Sequence, residues 1–207
     1  MKQLLLDIKP AAPPTLQNFV VGRNAEAIAS LKMSITGEKS ALGSGQFIYL
    51  WGESGCGKSH LLQACKAIGA RVVDDVHLLN NAAQIDLFNQ YNQHKEINEF
   101  MITAGLHAPT QMGLRDDLAT RLAWGLVYQL HPLNDAEKAI ALKHHAFERG
   151  MKLPDEVVDY CLRYLRRDLP TLMATLDALD EWSLTMQKPI TVPMLRKLLQ
   201  LNLELTD

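Results

Sequence analysis

Apolar and polar positions change period several times along the first two thirds of the chain. Gln46-Phe47-Ile48-Tyr49-Leu50-Trp51 is a continuous apolar, aromatic run, which predicts a strand buried on both faces. Arg71-Val72-Val73-Asp74-Asp75 predicts a short β-branched strand ending in two acids, and residues 99–103 and 125–130 predict two more strands. Helical patterns cover 24–35, the residues from His60 onward, and 84–93, with a Gly/Ser-rich loop over 37–45. Alternating strands and helices predict an α/β fold with a mostly parallel sheet.

From Pro132 onward the strand patterns stop. Asn134 caps a helix that ends near Gly150, and Pro154 opens a second with Val157, Cys161 and Leu165 on one face. Asp168 caps a third with a core stripe of Leu172, Leu176 and Leu179, and Thr191 caps a fourth near Pro193. The change predicts an α/β base over 15–131 and an all-α domain over 132–207. Residues 1–14, apolar and then Pro/Ala-rich, read as a tethered tail.

Composition narrows the function classes. At 207 residues, 47% hydrophobic and 21% charged, the chain has a globular make-up. A net charge of −2 argues against a dedicated nucleic-acid surface. Cys56, Cys65 and Cys161 have neither disulfide-framework nor zinc spacing. No apolar run reaches membrane-spanning length and no signal-peptide pattern opens the chain, so the expectation is a cytoplasmic protein without membrane contact.

The most specific chemistry lies directly after the first strand. Gly52-Glu53-Ser54-Gly55-Cys56-Gly57-Lys58-Ser59, followed by the helix-forming His60, is a complete phosphate-binding loop in its strand–turn–helix context. Such a pattern arises by chance roughly once in 30,000 positions, so an ordinary Gly-rich turn is the poorer reading. Its glycines let successive N–H groups face one concavity, to which the helix end adds positive partial charge. Lys58 then neutralises the outer phosphates and the Ser59 hydroxyl ligates Mg²⁺. Asp74 and Asp75 fall at the carboxyl edge of a strand, the ligand side of an open α/β sheet. One acid can hold Mg²⁺ through water (Asp74) and the other can orient an attacking water (Asp75), the plain alternative being a solvated acidic turn.

Taken together, residues 52–59, Asp74-Asp75-Val76-His77 and Asp117-Leu118-Ala119-Thr120-Arg121-Leu122-Ala123-Trp124-Gly125 resemble the DnaA branch of the AAA+ ATPases. Phe19-Val20-Val21-Gly22-Arg23-Asn24 is similar to that branch's adenine-side segment. His131-Pro132-Leu133-Asn134-Asp135, Leu153-Pro154-Asp155-Glu156-Val157 and Thr175-Leu176-Asp177 resemble the lid of a regulatory member. The resemblance implies an AAA+ base with a helical lid, bound ADP or ATP with Mg²⁺, and Phe19, Val20 and the loop through His60 as nucleotide contacts. It also implies that Arg121 is an arginine finger acting on a neighbouring subunit's nucleotide. On the residues alone, a salt bridge from Arg121 to Asp116 or Asp117 stands equally open.

Gln3-Leu4-Leu5-Leu6-Asp7-Ile8 is similar to the peptide with which this family docks on the DNA polymerase III sliding clamp (its beta subunit), Gln3, Leu4, Leu6 and Ile8 being the anchors. The plainer reading is an ordinary first strand or a greasy disordered start. The chain stops after the lid, without the helix-turn-helix domain of the initiator, so an initiator role is not expected. The resemblance therefore implies a clamp-tethered regulator that promotes hydrolysis of DnaA-bound ATP and inactivates the initiator, with homo-oligomers possible. The alternative is an independent AAA+ ATPase that loads or remodels replication proteins.

Three departures from the family pattern stand out, and the first two bear on self-hydrolysis. Pro170 stands where a lid arginine usually meets the phosphates, leaving Arg166 or Arg167 as substitutes. Thr103 is the one polar side chain in the first-sensor stretch. Lys58 and Asp74 lie too close for the usual intervening strand, which is an edge strand in the family's sheet order. His144 and His145 read as solvated or packed, Cys56 as lending its backbone, and Trp124, Met173, Met186 and Met194 as core.

Overall fold

In the first unit, strand residues alternate between two hydrophobic layers, and this places the helices. The computed structural model describes residues 13–36, 47–97 and 99–204, with side chains through residue 200. Gln3, Leu4, Leu6 and Ile8, with the rest of the tail through residue 12, and the Gly/Ser-rich loop lie outside the described residues. Strands β1 (Phe47–Trp51), β2 (Arg71–Val73), β3 (Met101–Gly105) and β4 (Leu126–Gln129) form one sheet in the order β2-β3-β1-β4. All three pairings are parallel, with Phe47 opposite Met101, Ile48 opposite Leu126 and Val73 opposite Thr103.

Ile48, Leu50, Ile102 and Ala104 pack with α1 (Ala25–Thr36) and α2 (Lys58–Ala67) through Ile28, Leu31, Leu61, Leu62 and Cys65. Phe47, Tyr49 and Met101 face the other way, onto α3 (Asn81–Ile97) and α4 (Asp116–Trp124) through Leu87, Tyr91, Leu118 and Leu122. Burial on both faces explains why β1 reads as an unbroken apolar run. The two-residue side-chain period sends neighbours to opposite layers.

The second unit, from residue 133 on, is helical: α5 (Asp135–Glu148), α6 (Asp155–Tyr164), α7 (Leu169–Met186) and α8 (Val192–Glu204). Leu142, Val157, Cys161, Leu172, Leu176, Leu179, Trp182 and Leu195 make its core. Its caps follow from side-chain chemistry. Asn134 accepts from the Glu137 N–H at 2.8 Å, while Glu137 accepts from the Asn134 N–H at 2.8 Å, a reciprocal capping box. Asp168 accepts from the Thr171 N–H at 3.0 Å, and Pro170 sits in the first turn of α7, where a missing N–H costs nothing.

Several expectations are corrected. Trp124 is 62% exposed, outside the core, because it ends α4 just before Gly125. Met186 is exposed at the end of α7, whereas Met173 and Met194 do pack against the helical core. The third helix runs from Asn81 to Ile97, longer than its apolar pattern. Strand β3 accordingly starts at Met101, two residues after the expected start at Glu99, whose N–H still bonds the His94 carbonyl. The parallel sheet is complete around β1 without a strand between α2 and β2, which leaves β2 as an edge. No described helix is long and apolar enough to cross a membrane.

Candidate functional site

The loop between β1 and α2 folds as a left-handed nest. Gly52, Gly55 and Gly57 have φ of 151°, 80° and 99°, a region that side chains resist. At Gly57 there is a further demand: a Cβ there would stand 2.6 Å from the Phe19 ring. The Lys58 ammonium donates to the carbonyls of Gly52 (2.6 Å) and Glu53 (3.0 Å) and lies 3.7 Å from the Cys56 sulfur. Glu53, Ser54 and Gly55 are exposed at the rim, and Cys56 is buried beneath it. A glycine-rich turn with a lysine ammonium at a helix N-terminus fits a polyphosphate.

The N-terminal segment is fastened beside it. Phe19 meets His60 edge-on at 5.4 Å between centroids, and His60 Nε2 is 2.9 Å from the Thr15 carbonyl. Val20, next along, is half-buried. Buried Asn24 ties this segment to the end of β4. Its amide donates to the His131 carbonyl (2.9 Å) and its oxygen accepts from the His131 N–H (2.8 Å).

The two acids take different positions. Ser59, in the first turn of α2, donates to Asp74 Oδ2 at 3.2 Å. A hydroxyl and a carboxylate so placed fit a hard divalent cation bound together with phosphate oxygens. Asp75 is exposed and holds a left-handed backbone, φ 47°, with its N–H on Asp74 Oδ1 at 2.8 Å. A non-glycine residue held in this region marks a backbone shaped by its surroundings. Thr103 is buried in β3.

Arg121 lies on α4, and neither neighbouring acid pairs with it. Asp117 instead pairs with Arg115 at 2.8 Å, and the hydrogen bond from Arg115 holds the Asp117 carboxyl below its usual range. The Arg121 guanidinium sits 4.4 Å from the Trp124 ring centroid and 5.5 Å from that of Phe88. Among the described residues no carboxylate pairs with it. Burial raises the hydroxyl pKa of nearby Tyr91, and the Arg121 charge works against that rise. Phe88, Tyr91 and Lys95 were not anticipated as neighbours of Arg121. Their signal was present as an i, i+3, i+7 spacing along one face of α3.

In the helical unit, exposed Arg166 and Arg167 lie 3.7 Å from Asp168 and 3.8 Å from Asp135. His145 Nε2 is 2.6 Å from Asp177, which Arg149 also approaches at 3.2 Å, so this histidine is packed into an ion-pair cluster. His144 is exposed, 3.6 Å from Glu148. The described residues contain no group of three or more His, Cys, Asp or Glu side chains placed to hold a metal by themselves.

Comparison with known proteins agrees with this architecture. Residues 135–199 match the family model described as Hda, lid domain. Domain III of the Thermotoga maritima replication initiation protein DnaA superposes with a TM-score of 0.69 at 21% identity, over 93% of this chain and 98% of that one. AMPPCP-bound DnaA from Aquifex aeolicus gives 0.66 at 23% identity, over 83% of this chain and 66% of that one. The Thermotoga maritima RuvB Holliday junction branch migration motor gives 0.64 at 15% identity, over 91% of this chain and 72% of that one. Residues 135–199 are thus similar to an Hda-type lid, and the chain has the fold of DnaA domain III.

Proposed function

We propose that the chain is a nucleotide-bound regulator of replication initiation that supplies an arginine to ATP held by DnaA and so promotes its hydrolysis. The observation that carries this reading is Arg121: a guanidinium lying over the Trp124 and Phe88 rings, with its acidic neighbour Asp117 engaged elsewhere. An arginine kept free of carboxylates retains its charge and planar donors for a phosphate on another molecule.

The chain's own loop binds ADP or ATP. Gly52 to Ser59 cradle the phosphates, Lys58 exchanges its loop carbonyls for phosphate oxygens, and Phe19, Val20 and His60 flank the base side. Ser59 and Asp74 hold Mg²⁺, which supplies charge neutralisation to the phosphates when bound. The AMPPCP in the DnaA structure of similar fold supports a nucleotide here. Asp75 is the acid that orients a water in this reading. The base and the lid are the two parts that bound nucleotide orders, and Gln3, Leu4, Leu6 and Ile8 dock the chain on the sliding clamp, in the cytoplasm.

The second reading, an independent ATPase, is favoured by the intact loop and acid pair but not by Pro170, which brings no cation to the start of α7. Phosphate release separates the two. It is measured for the chain alone, then with ATP-loaded DnaA, clamp and DNA. The regulator releases phosphate from DnaA's ATP in the full mixture and little by itself. Equal turnover by the chain alone would establish the second reading instead.

A further inference from the structure

Trp124 is a large aromatic residue left 62% exposed, and its ring is nevertheless engaged. Arg121 and Trp124 are i, i+3 on α4 and share a face. Phe88 and Lys95 reach the same place from α3, the Lys95 ammonium lying 5.6 Å from the Trp124 centroid. A Cβ at Gly125 would collide with the Phe47 carbonyl, so the chain must turn into β4 immediately after Trp124.

A guanidinium has two kinds of surface. Its flat faces stack on aromatic rings, and its edge carries five N–H donors. A carboxylate partner occupies the edge and cancels the charge, whereas a ring partner uses a face and leaves both edge and charge available. The Arg115–Asp117 pair removes one carboxylate of the same helix from competition. Stacking also restricts the long side chain before any partner arrives, which is how a positioned group contributes to rate.

We propose that Trp124, assisted by Phe88, is the positioning residue for Arg121: the ring presents the guanidinium edge-outward, charged and pre-oriented, toward an anionic group on a partner protein. Lys95, over the same ring, adds a second positive charge to that face. This rests on the reading of Arg121 as a finger for DnaA-bound ATP.

The test uses the full chain with ATP-loaded DnaA, clamp and DNA in single-turnover hydrolysis across a range of chain concentrations. The variants are Trp124→Phe, Trp124→Leu, Phe88→Leu and Arg121→Ala, with melting curves and ADP affinity measured alongside. Trp124→Leu is expected to lower the maximal rate about three- to thirty-fold, the range of cation–π strengths from exposed to desolvated sites. The concentration giving half-maximal rate and the ADP affinity stay unchanged. Trp124→Phe, which keeps a ring, recovers most of the rate. Should Trp124→Leu fail to fold, Phe88→Leu reads the same effect from the second ring.

Three results overturn the proposal: a wild-type maximal rate for Trp124→Leu, equal losses for Phe and Leu, or a loss confined to the half-maximal concentration. The last would make Trp124 a contact surface. Arg121→Ala separates the two levels of inference. If it retains stimulation, the finger reading itself fails. If it abolishes stimulation while Trp124→Leu does not reduce it, the platform alone fails.

Discussion

Lys58 and Gly57 illustrate how much of the nucleotide loop depends on single residues. The Lys58 ammonium rests on two carbonyls, contacts that a phosphate replaces with charge-assisted ones. Lys58→Ala is expected to weaken ADP binding by about 10- to 100-fold, the equivalent of about 1.5–3 kcal/mol for a hydrogen bond to a charged group. Calorimetry giving the wild-type affinity would contradict the assignment. Gly57→Ala must adopt φ near 99° and displace the Phe19 ring. It is expected to destabilise the fold by about 1–3 kcal/mol, and a denaturation midpoint equal to wild type would contradict this.

Asp168 gives a pH dependence at the same scale. Burial acts to raise its pKa, but hydrogen bonding from Thr171 and the Arg166 charge outweigh it and hold the carboxyl below the usual range. The folded value being depressed, its contribution is complete above the unfolded value of about 3.9 and is lost as pH falls through the folded value. The stability gap between wild type and Asp168→Asn is therefore expected to narrow between pH 7 and pH 3, measured by chemical denaturation at each pH. A gap independent of pH would contradict it.

Elements with strong local chemistry were legible in the sequence. Asn134, Asp168 and the i, i+4 apolar stripes mark α5 to α7 directly, since caps and periodicity act within a few residues. Asn134→Ala removes one half of the capping box and is expected to cost about 1 kcal/mol of stability in the α5 unit. An unchanged unfolding free energy would show that α5 is held by packing alone. Elements whose limits depend on distant partners were less legible. The ends of α3 and β3 follow from sheet register and the His94–Glu99 turn, neither of which is a local pattern. Trp124 was misplaced because hydrophobicity does not distinguish a ring that fills a core from one that carries a cation.

Across the whole molecule, the loop, the acid pair and Arg121 were visible as motifs, because phosphate and metal chemistry admit few residue types at fixed spacing. The Phe88–Trp124 platform was not, since it joins two helices that meet through the sheet's second layer. The tail is testable at this scale. Replacing Gln3, Leu4 and Leu6 with Ala is expected to abolish capture on immobilised clamp while ADP affinity and melting temperature stay unchanged. Undiminished capture would contradict clamp docking through this segment.

The central claim is that Arg121 works on another protein's ATP. Its most direct test is single-turnover hydrolysis of DnaA-bound ATP in the presence of clamp and DNA, comparing wild type with Arg121→Ala and Arg121→Lys. Both variants are expected to bind ADP normally and to lose about 10³- to 10⁵-fold in stimulated rate, lysine failing nearly as badly because it lacks the planar fork. Stimulation by Arg121→Ala at the wild-type rate would contradict the claim.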